Sequence, residues 1–456
     1  MARTSAIASS MVALALSFAA TQVLAQQGGR PDILGDRQTR AQNPLPDYSY
    51  AGYGFGLAAI PMDQGTVIEA TAHGVIPDDG KDDAKALLTA LAAANAIEGR
   101  VIVRLPAGRV QIGEVIPLTR SNLTLAGAGS AEGGTELFFP RPLNIVDDPA
   151  RQAELREYLL REDKYEVQPD QNIRFLFSEY SWAGGMLFVG PEGTRPVSYD
   201  GSKDRRDPVL AEARGGRQFD TVLAVADASK LRVGQVVQVQ WFSVDGPDSA
   251  ILHSLYGDLE PWNSAQTENS RKLAIGSHHW TFPNRPVVAQ PTRIIAIRGN
   301  RVTLGDPLLH AVSADQPAVV AQWGHLEDVG IQNMRLTFPD NPWFGHHLEA
   351  GYNGIYMTGV FDGWIHDLVI ANADSAVLTD NAGSLTISDI VTTGEHKAHY
   401  SVHVGAVHNV LVDNLRVENP VIHPVSVNTR SSRSVYRQTT VLRDAIIDQH
   451  SGSNHQ

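Results

Sequence analysis

Five short segments in the last third of this 456-residue chain share one pattern. They are IQNMRL (331–336), IHDLVI (365–370), ISDIVT (387–392), VDNLRV (412–417) and LRDAII (442–447). Each reads apolar, any residue, Asn or Asp, apolar, any residue. The Asn/Asp positions 333, 367, 389, 414 and 444 are separated by 34, 22, 25 and 30 residues. Further strand-like runs lie between them: GIYMTGV (354–360), SAVLTD (375–380), YSVHVGA (400–406) and PVSVNT (424–429). One such unit cannot bury its own inward side chains. Stacked on its neighbours it can, and each backbone edge is then paired with the next unit. Unequal steps fit coils that differ only in loop length. An Asn or Asp at each turn suits a locally bonded, left-handed residue. The absence of amphipathic helices between the segments argues against a βαβ sheet or a leucine-rich horseshoe. An ordinary β-sandwich is the alternative, and five aligned turns weigh against it. The pattern therefore predicts an all-β solenoid, a parallel β-helix.

Residues 66–140 add a second set of signals. Asp82 and Asp83 can cap a helix that runs to about Asn95, with Ala86, Leu87, Ala90, Leu91 and Ala94 on one face. Val101, Val103 and Leu105 alternate as a strand that Pro106-Ala107-Gly108 turns, and SNLTLAGAG (121–129) follows. These motifs resemble the opening of the pectate lyase superfamily in its rhamnogalacturonase-like branch. That branch begins with Gly-Asp-Gly-x-x-Asp-Asp, a capping helix, a strand ending in Leu-Pro-Ala-Gly, and Leu-x-Gly-x-Gly. The matching residues here are Asp79-Gly80 with Asp82-Asp83, then Leu105 to Gly108, then Leu125 to Gly129. Asp78 stands where the family has its first Gly. The resemblance spans 66–140 and 325–450. It implies a right-handed parallel β-helix with an N-terminal capping helix and a polysaccharide partner. It leaves the reaction open, because the superfamily holds lyases, hydrolases, epimerases and phage tailspikes.

The remaining chain divides around these coils. Residues 1–25 read as a signal peptide: Arg3 is the positive start, Met11 to Ala20 the apolar centre, and Val23-Leu24-Ala25 the small-residue exit. That run is too short to span a membrane, so export to the periplasm or outside is expected. Residues 26–65 read as a loose leader, with order beginning near Thr66. The 66–140 coils are followed by a helical and aromatic insertion (141–219), which includes a helix at 147–163. A small β insertion module (220–324) has strands at 231–241 and 293–306 and a Gly299-Asn300 hairpin turn. The last coils fill 325–456, and no C-terminal cap follows them, so a partner chain or further residues would have to cover that end. With no cysteine, neither a Cys-based zinc site nor a Cys nucleophile is available. A net charge of −13 argues against a nucleic-acid binder but permits a locally basic cleft.

Such a cleft is legible near the end. Seven of the 16 histidines fall within 396–455, among Lys397, Arg430 and Arg433. β-Elimination from an acidic sugar needs a cation to neutralise the carboxylate and a base to take the adjacent ring proton, and histidine titrates in the useful range. In the 400–406 strand Val402 and Val404 should point inward and His403 outward, with His399 on the same outer face. His423 should sit one coil above, about 5 Å away. His399, His403, His423, Lys397 and Arg430 are thus the candidate catalytic set, with Asp380 as a further candidate: a hydrolase would need a carboxylate pair, for which Asp374 and Asp380 bracket one strand and Glu349 lies upstream. In WFGHHLEAGYNG (343–354), Trp343 and Tyr352 can stack on sugar rings and Glu349 and Asn353 can bond them; His450 is a further candidate contact. His346, His347 and Glu349 lack the spacing of known zinc sites, so no metal ligands are assigned. No cofactor motif is present, and a bound calcium ion would serve the same neutralising end as Lys or Arg. A carbohydrate-binding β-helix without catalysis is the non-enzyme alternative.

Overall fold

A computed structural model describes residues 47–153, 155–156, 178–193, 207–243, 250–256, 286–428 and 430–449. The expected signal peptide, most of the leader, residues 157–163 of the expected 147–163 helix and His450 lie outside the described residues, and residues 147–152 of that expected helix are turn, bend and irregular chain.

Four of the five repeat segments fall in long parallel strands, Leu326–Thr337, Val360–Ala371, Ala382–Thr393 and Val407–Val417, each paired with the next, whereas the fifth, 442–447, runs from the short strand Thr440–Val441 to the start of Ile447–Gln449. Their apolar positions stack in register: Ile331 on Ile365 on Ile387 on Val412, and Met334 on Leu368 on Ile390 on Leu415. These side chains are fully buried in one core. The Asn/Asp between them is the exception to strand geometry. Asn333, Asp367, Asp389, Asn414 and Asp444 all have positive φ, between 44° and 60°. A left-handed residue there bends each strand at the same level, and Asn414 Nδ2 donates to Asp389 Oδ1 at 2.6 Å across one coil step.

The intervening runs form a second parallel sheet: Leu187–Val189, Asn353–Thr358, Ser375–Asp380, Ala398–Gly405 and Val425–Asn428 are neighbours in that order. The chain alternates between the two sheets, and every partner is the equivalent strand of the next circuit, an arrangement consistent with a parallel β-helix. Leu187–Val189, read from sequence as part of an insertion, belongs to this sheet and joins Ile116–Leu118 to Asn353–Thr358. Likewise Leu123–Ala126 and Thr135–Phe138 pair directly with Leu326–Thr337, although a long stretch of chain that includes Leu187–Val189 of the second sheet lies between them.

The N-terminal motif acts through side chain to backbone bonds. Asp78 Oδ1 accepts from Arg109 N, and Asp82 Oδ1 accepts from Gly113 N and Ala84 N. Asp78 holds φ at +62°, a conformation in which glycine costs nothing. The helix Ala84–Asn95 then buries Leu87, Ala90, Leu91 and Ala94 against the first strands.

Two further findings differ from the sequence expectation. The chain is docked well before Thr66: Gly52 N donates to Asn409 O, Gly54 N to Asp362 Oδ1 and Phe55 N to Ser384 Oγ, and the Tyr53 hydroxyl bonds Asp328. These acceptors sit at a second line of positive-φ corners, Asp328, Asp362, Ser384, Asn409 and Arg433. The inserted module is a closed antiparallel barrel that starts at Val209, earlier than expected, with strands Val209–Gly215, Val222–Val225, Val236–Trp241, Val288–Arg298, Arg301–Leu304 and Ala318–Ala321. Arg298 pairs with Arg301 across the Gly299-Asn300 turn, as expected.

A buried polar network fastens the barrel to the coils. The Asp306 carboxylate accepts from Thr292 and Gln290 of the barrel and from His408 Nε2 (2.6 Å), Asn409 Nδ2 (3.1 Å) and Arg433 Nη1 (3.0 Å) of the coils. Burial opposes its charge, but the His408 and Arg433 contacts outweigh that and hold Asp306 below the ordinary carboxylate range. Burial lowers the His408 pKa, which fits a neutral ring donating from Nε2 and accepting at Nδ1 from the Ser432 hydroxyl at 2.7 Å.

Candidate functional site

Strand Ala398–Gly405 carries the expected histidines His399 and His403, and the structure brings His399 to the predicted neighbour His423. Tyr400 is in register with His423 of the next coil, and the His399 and His423 rings lie 5.2 Å apart. The other members come from the 341–352 loop, which folds back over this strand. His346 Nε2 lies 3.1 Å from His399 Nε2 and 3.3 Å from His423 Nε2. His347 follows with φ +67°, its ring 3.8 Å from that of His346 and 5.2 Å from that of His399. Four imidazoles thus converge from three segments.

Carboxylates stand behind them. Glu349 Oε1 is 3.1 Å from His399 Nδ1, at ion-pair distance but off the ideal hydrogen-bond line, and accepts from His347 N at 3.0 Å. Its Oε2 accepts from Ser181 Oγ at 2.6 Å. Burial pushes the Glu349 carboxyl up, against those bonds. Asp448 Oδ2 is 3.4 Å from His423 Nδ1 and accepts from Ser426 Oγ. Trp182 covers the rings of His347 and His399, at 4.7 and 6.5 Å.

The loop is pinned by Asp374. Its Oδ2 accepts from Gly351 N and Tyr352 N, its Oδ1 from His396 Nε2 at 2.8 Å, and its carbonyl from His399 N. Burial opposes a charge on His396, but the Asp374 hydrogen bond and charge outweigh it and raise its pKa. The ring then donates at both ends, to Asp374 and to Asn341 O.

The expected open wall is covered. His399 is 1% exposed and His403 3%, because the 341–352 loop and the Tyr180–Trp182 turn lie over the strand. His403 is set apart from His399 by the Tyr400 ring, which stacks on His399 at 4.1 Å and meets His403 edge-on at 4.7 Å. Its imidazole fills the space over Gly405, where any Cβ would collide with it. Asn353 is not a surface contact for a glycan. It is fully buried, and its Nδ2 donates to Tyr180 O and Gly184 O, holding the Trp182 turn in place. Tyr352 is half-buried with its ring edge-on to Phe338, and Arg430 donates to Pro286 O of the insertion. Asp380 is buried and accepts from the Tyr356 hydroxyl at 3.2 Å. It stands six residues along the strand from the Asp374 end, on the order of 20 Å at ~3.3 Å per residue. Glu349 lies at that other end, so these two carboxylates do not form a hydrolase pair.

What stays accessible is a platform beside the histidines. Trp343 is 46% exposed, the Lys397 ammonium sits 4.5 Å above its ring, and Phe344 is exposed next to it. Of the residues expected from the sequence, the structure brings Lys397 to Trp343 and His399 to His423. Sequence reasoning noted His346 and His347 without joining them to the others, and it had no signal for Ser181, Trp182 or Asp448. Among the described residues, no helix is long and apolar enough to cross a membrane.

No family model and no curated protein matches this chain. Solved structures similar to it include the tailspike protein gp49 from Pseudomonas phage LKA1, at 13% identity over 84% of this chain and 54% of that one, with a TM-score of 0.40. The gp54 tailspike of Acinetobacter baumannii bacteriophage AP22, solved in complex with A. baumannii capsular saccharide, matches at 9% identity over 82% and 51%, TM-score 0.36. The A-module of the mannuronan C-5 epimerase AlgE4 from Azotobacter vinelandii matches at 12% identity over 82% and 68%, TM-score 0.31. The chain spans about half the length of the two tailspikes. Likenesses this distant say nothing of the reaction.

Proposed function

We propose that this protein is an exported carbohydrate-active enzyme on a right-handed parallel β-helix, its N-terminal end capped by the Ala84–Asn95 helix, and that it cleaves an acidic glycan by β-elimination. The observation that carries the reading is one grouping: Lys397, two residues before His399, sits over the exposed ring of Trp343, three residues before His346, and the His346, His399 and His423 imidazoles converge. Trp343 offers a stacking face for a sugar ring, and Lys397 offers a charge for a uronate carboxylate. His423 is the base. It is only partly buried, and Asp448 at its Nδ1 favours the tautomer with a bare Nε2. His423 Nε2 takes the C5 proton, the electron pair forms the C4–C5 double bond, and the glycosidic C4–O bond breaks with protonation of the leaving oxygen. The product is an unsaturated uronate.

The test is a screen of the full chain on acidic polysaccharides, following the ultraviolet absorbance of unsaturated uronates. The reading expects a rise that His423→Ala reduces by about 10²–10⁴-fold, the range of a lost general base. New reducing ends without that absorbance would replace it with a hydrolase. Saccharide binding without turnover of any substrate would replace it with a binding protein.

A further inference from the structure

We infer that His346, His347 and His399 form a binding site for one divalent transition-metal ion of the zinc type. One ring nitrogen from each lies within 4.8 Å of the other two. The tightest pair, His346 Nε2 and His399 Nε2, is 3.1 Å apart. Two imidazole nitrogens on one tetrahedral ion, at about 2.0–2.1 Å from it, sit about 3.3 Å apart. The set therefore needs only small ring rotations to close on an ion.

The surroundings match what a histidine–metal site requires. The Glu349 carboxylate backs one ligand and bonds the backbone N–H of another, and Ser181 in turn fixes Glu349. Trp182 shields the site from one side, while His346 and His423 remain partly accessible on the other. That gives three protein ligands, with the fourth position of a tetrahedral ion left for water or substrate.

The donor chemistry selects the ion. Neutral imidazoles suit Zn²⁺, Ni²⁺, Cu²⁺ or Fe²⁺, whereas Ca²⁺ takes six to eight oxygen ligands. A bound ion of this type, rather than calcium, would then share with Lys397 the neutralising of a substrate carboxylate. Metal binding itself does not rest on the glycan reading.

The experiment uses the full chain, stripped with chelator and reloaded with Zn²⁺ or Co²⁺. Elemental analysis should give one ion per chain. The Co²⁺ form should show the visible absorption of a four-coordinate site. His346→Ala, at a partly exposed position that the core does not need, should reduce affinity at least 100-fold with unchanged circular dichroism. Glu349→Gln should weaken it roughly 10–100-fold. Absence of stoichiometric binding, or binding that survives in His346→Ala and in His347→Ala, would overturn the inference. In the second case the ion sits on other histidines. Metal binding without elimination activity would leave this site standing and remove the lyase reading.

Discussion

Asp306 and Arg433 are both fully buried, 3.0 Å apart, and lie on opposite sides of the junction between barrel and coils. Asp306→Asn keeps the volume but removes the charge, and it turns one acceptor into a donor facing Thr292, Gln290, His408 and Asn409. Arg433 is left as an uncompensated buried cation. Removal of one partner of such a pair costs about 3–5 kcal/mol. Arg433→Met should cost less, about 2–3 kcal/mol, because the hydrogen bonds from His408, Asn409, Thr292 and Gln290 still satisfy the carboxylate. The double variant should cost no more than Asp306→Asn alone, a coupling of at least about 2 kcal/mol. Urea unfolding followed by circular dichroism would measure all three, with comparison of the first transition in each, since a chain of this size need not unfold in one step. A loss under about 1 kcal/mol for Asp306→Asn, or simple additivity in the pair, would refute the network as the fastening of the barrel.

Acid should loosen the same junction. Asp306 and His408 have depressed pKa values in the fold, and burial pushes His310 down to about 3. Each contributes stability that is present above its unfolded pKa and lost as pH falls toward its folded value. The loss should begin near pH 6.5 for the histidines and continue from about 4 for Asp306. Unfolding midpoints measured from pH 8 to 4 check this, and His310→Gln should flatten the upper part of the curve; a midpoint that rises on acidification would contradict it. Trp343→Ala should weaken saccharide binding by about 0.5–1.5 kcal/mol with no change in melting temperature, as read by calorimetric titration, and an unchanged affinity would remove the platform. Gly330→Ala would drive a methyl into the Trp364 ring, which lies against Gly330 and donates to Gln332 Oε1. About 1–3 kcal/mol of destabilisation is expected in denaturant unfolding, and a neutral result would mean that the coil can relax around the added carbon.

The coils were legible because their signal is local. An Asn or Asp at 333, 367, 389, 414 and 444 announces a left-handed residue by its own type, and all five adopt one. The other corner line was not legible, since Ser384 and Arg433 hold positive φ there without belonging to that residue class. Ser384 can do so because its hydroxyl donates to Gly52 O of the docked leader, and Arg433 because Asp306 anchors its side chain. Both reasons are long-range. Leu187–Val189 was hidden for a related cause: so short an apolar run carries no period of its own, and only its partners on both sides make it a strand.

The same division runs through the site. The coil step accounts for part of the approach of His399 to His423: it sets His423 in register with Tyr400, the chain neighbour of His399, one strand spacing away. The arrival of His346 and His347 does not follow from any step. It depends on Asp374, a turn residue by type, spending both carboxylate oxygens on the loop and on His396 while its carbonyl takes His399 N. One residue thus holds the loop and the strand in a common frame. An imidazole cluster with 3.1–3.3 Å contacts tolerates little play between its two sources. A turn carboxylate that bonds three segments at once is what converts two sequence-distant histidine pairs into one centre.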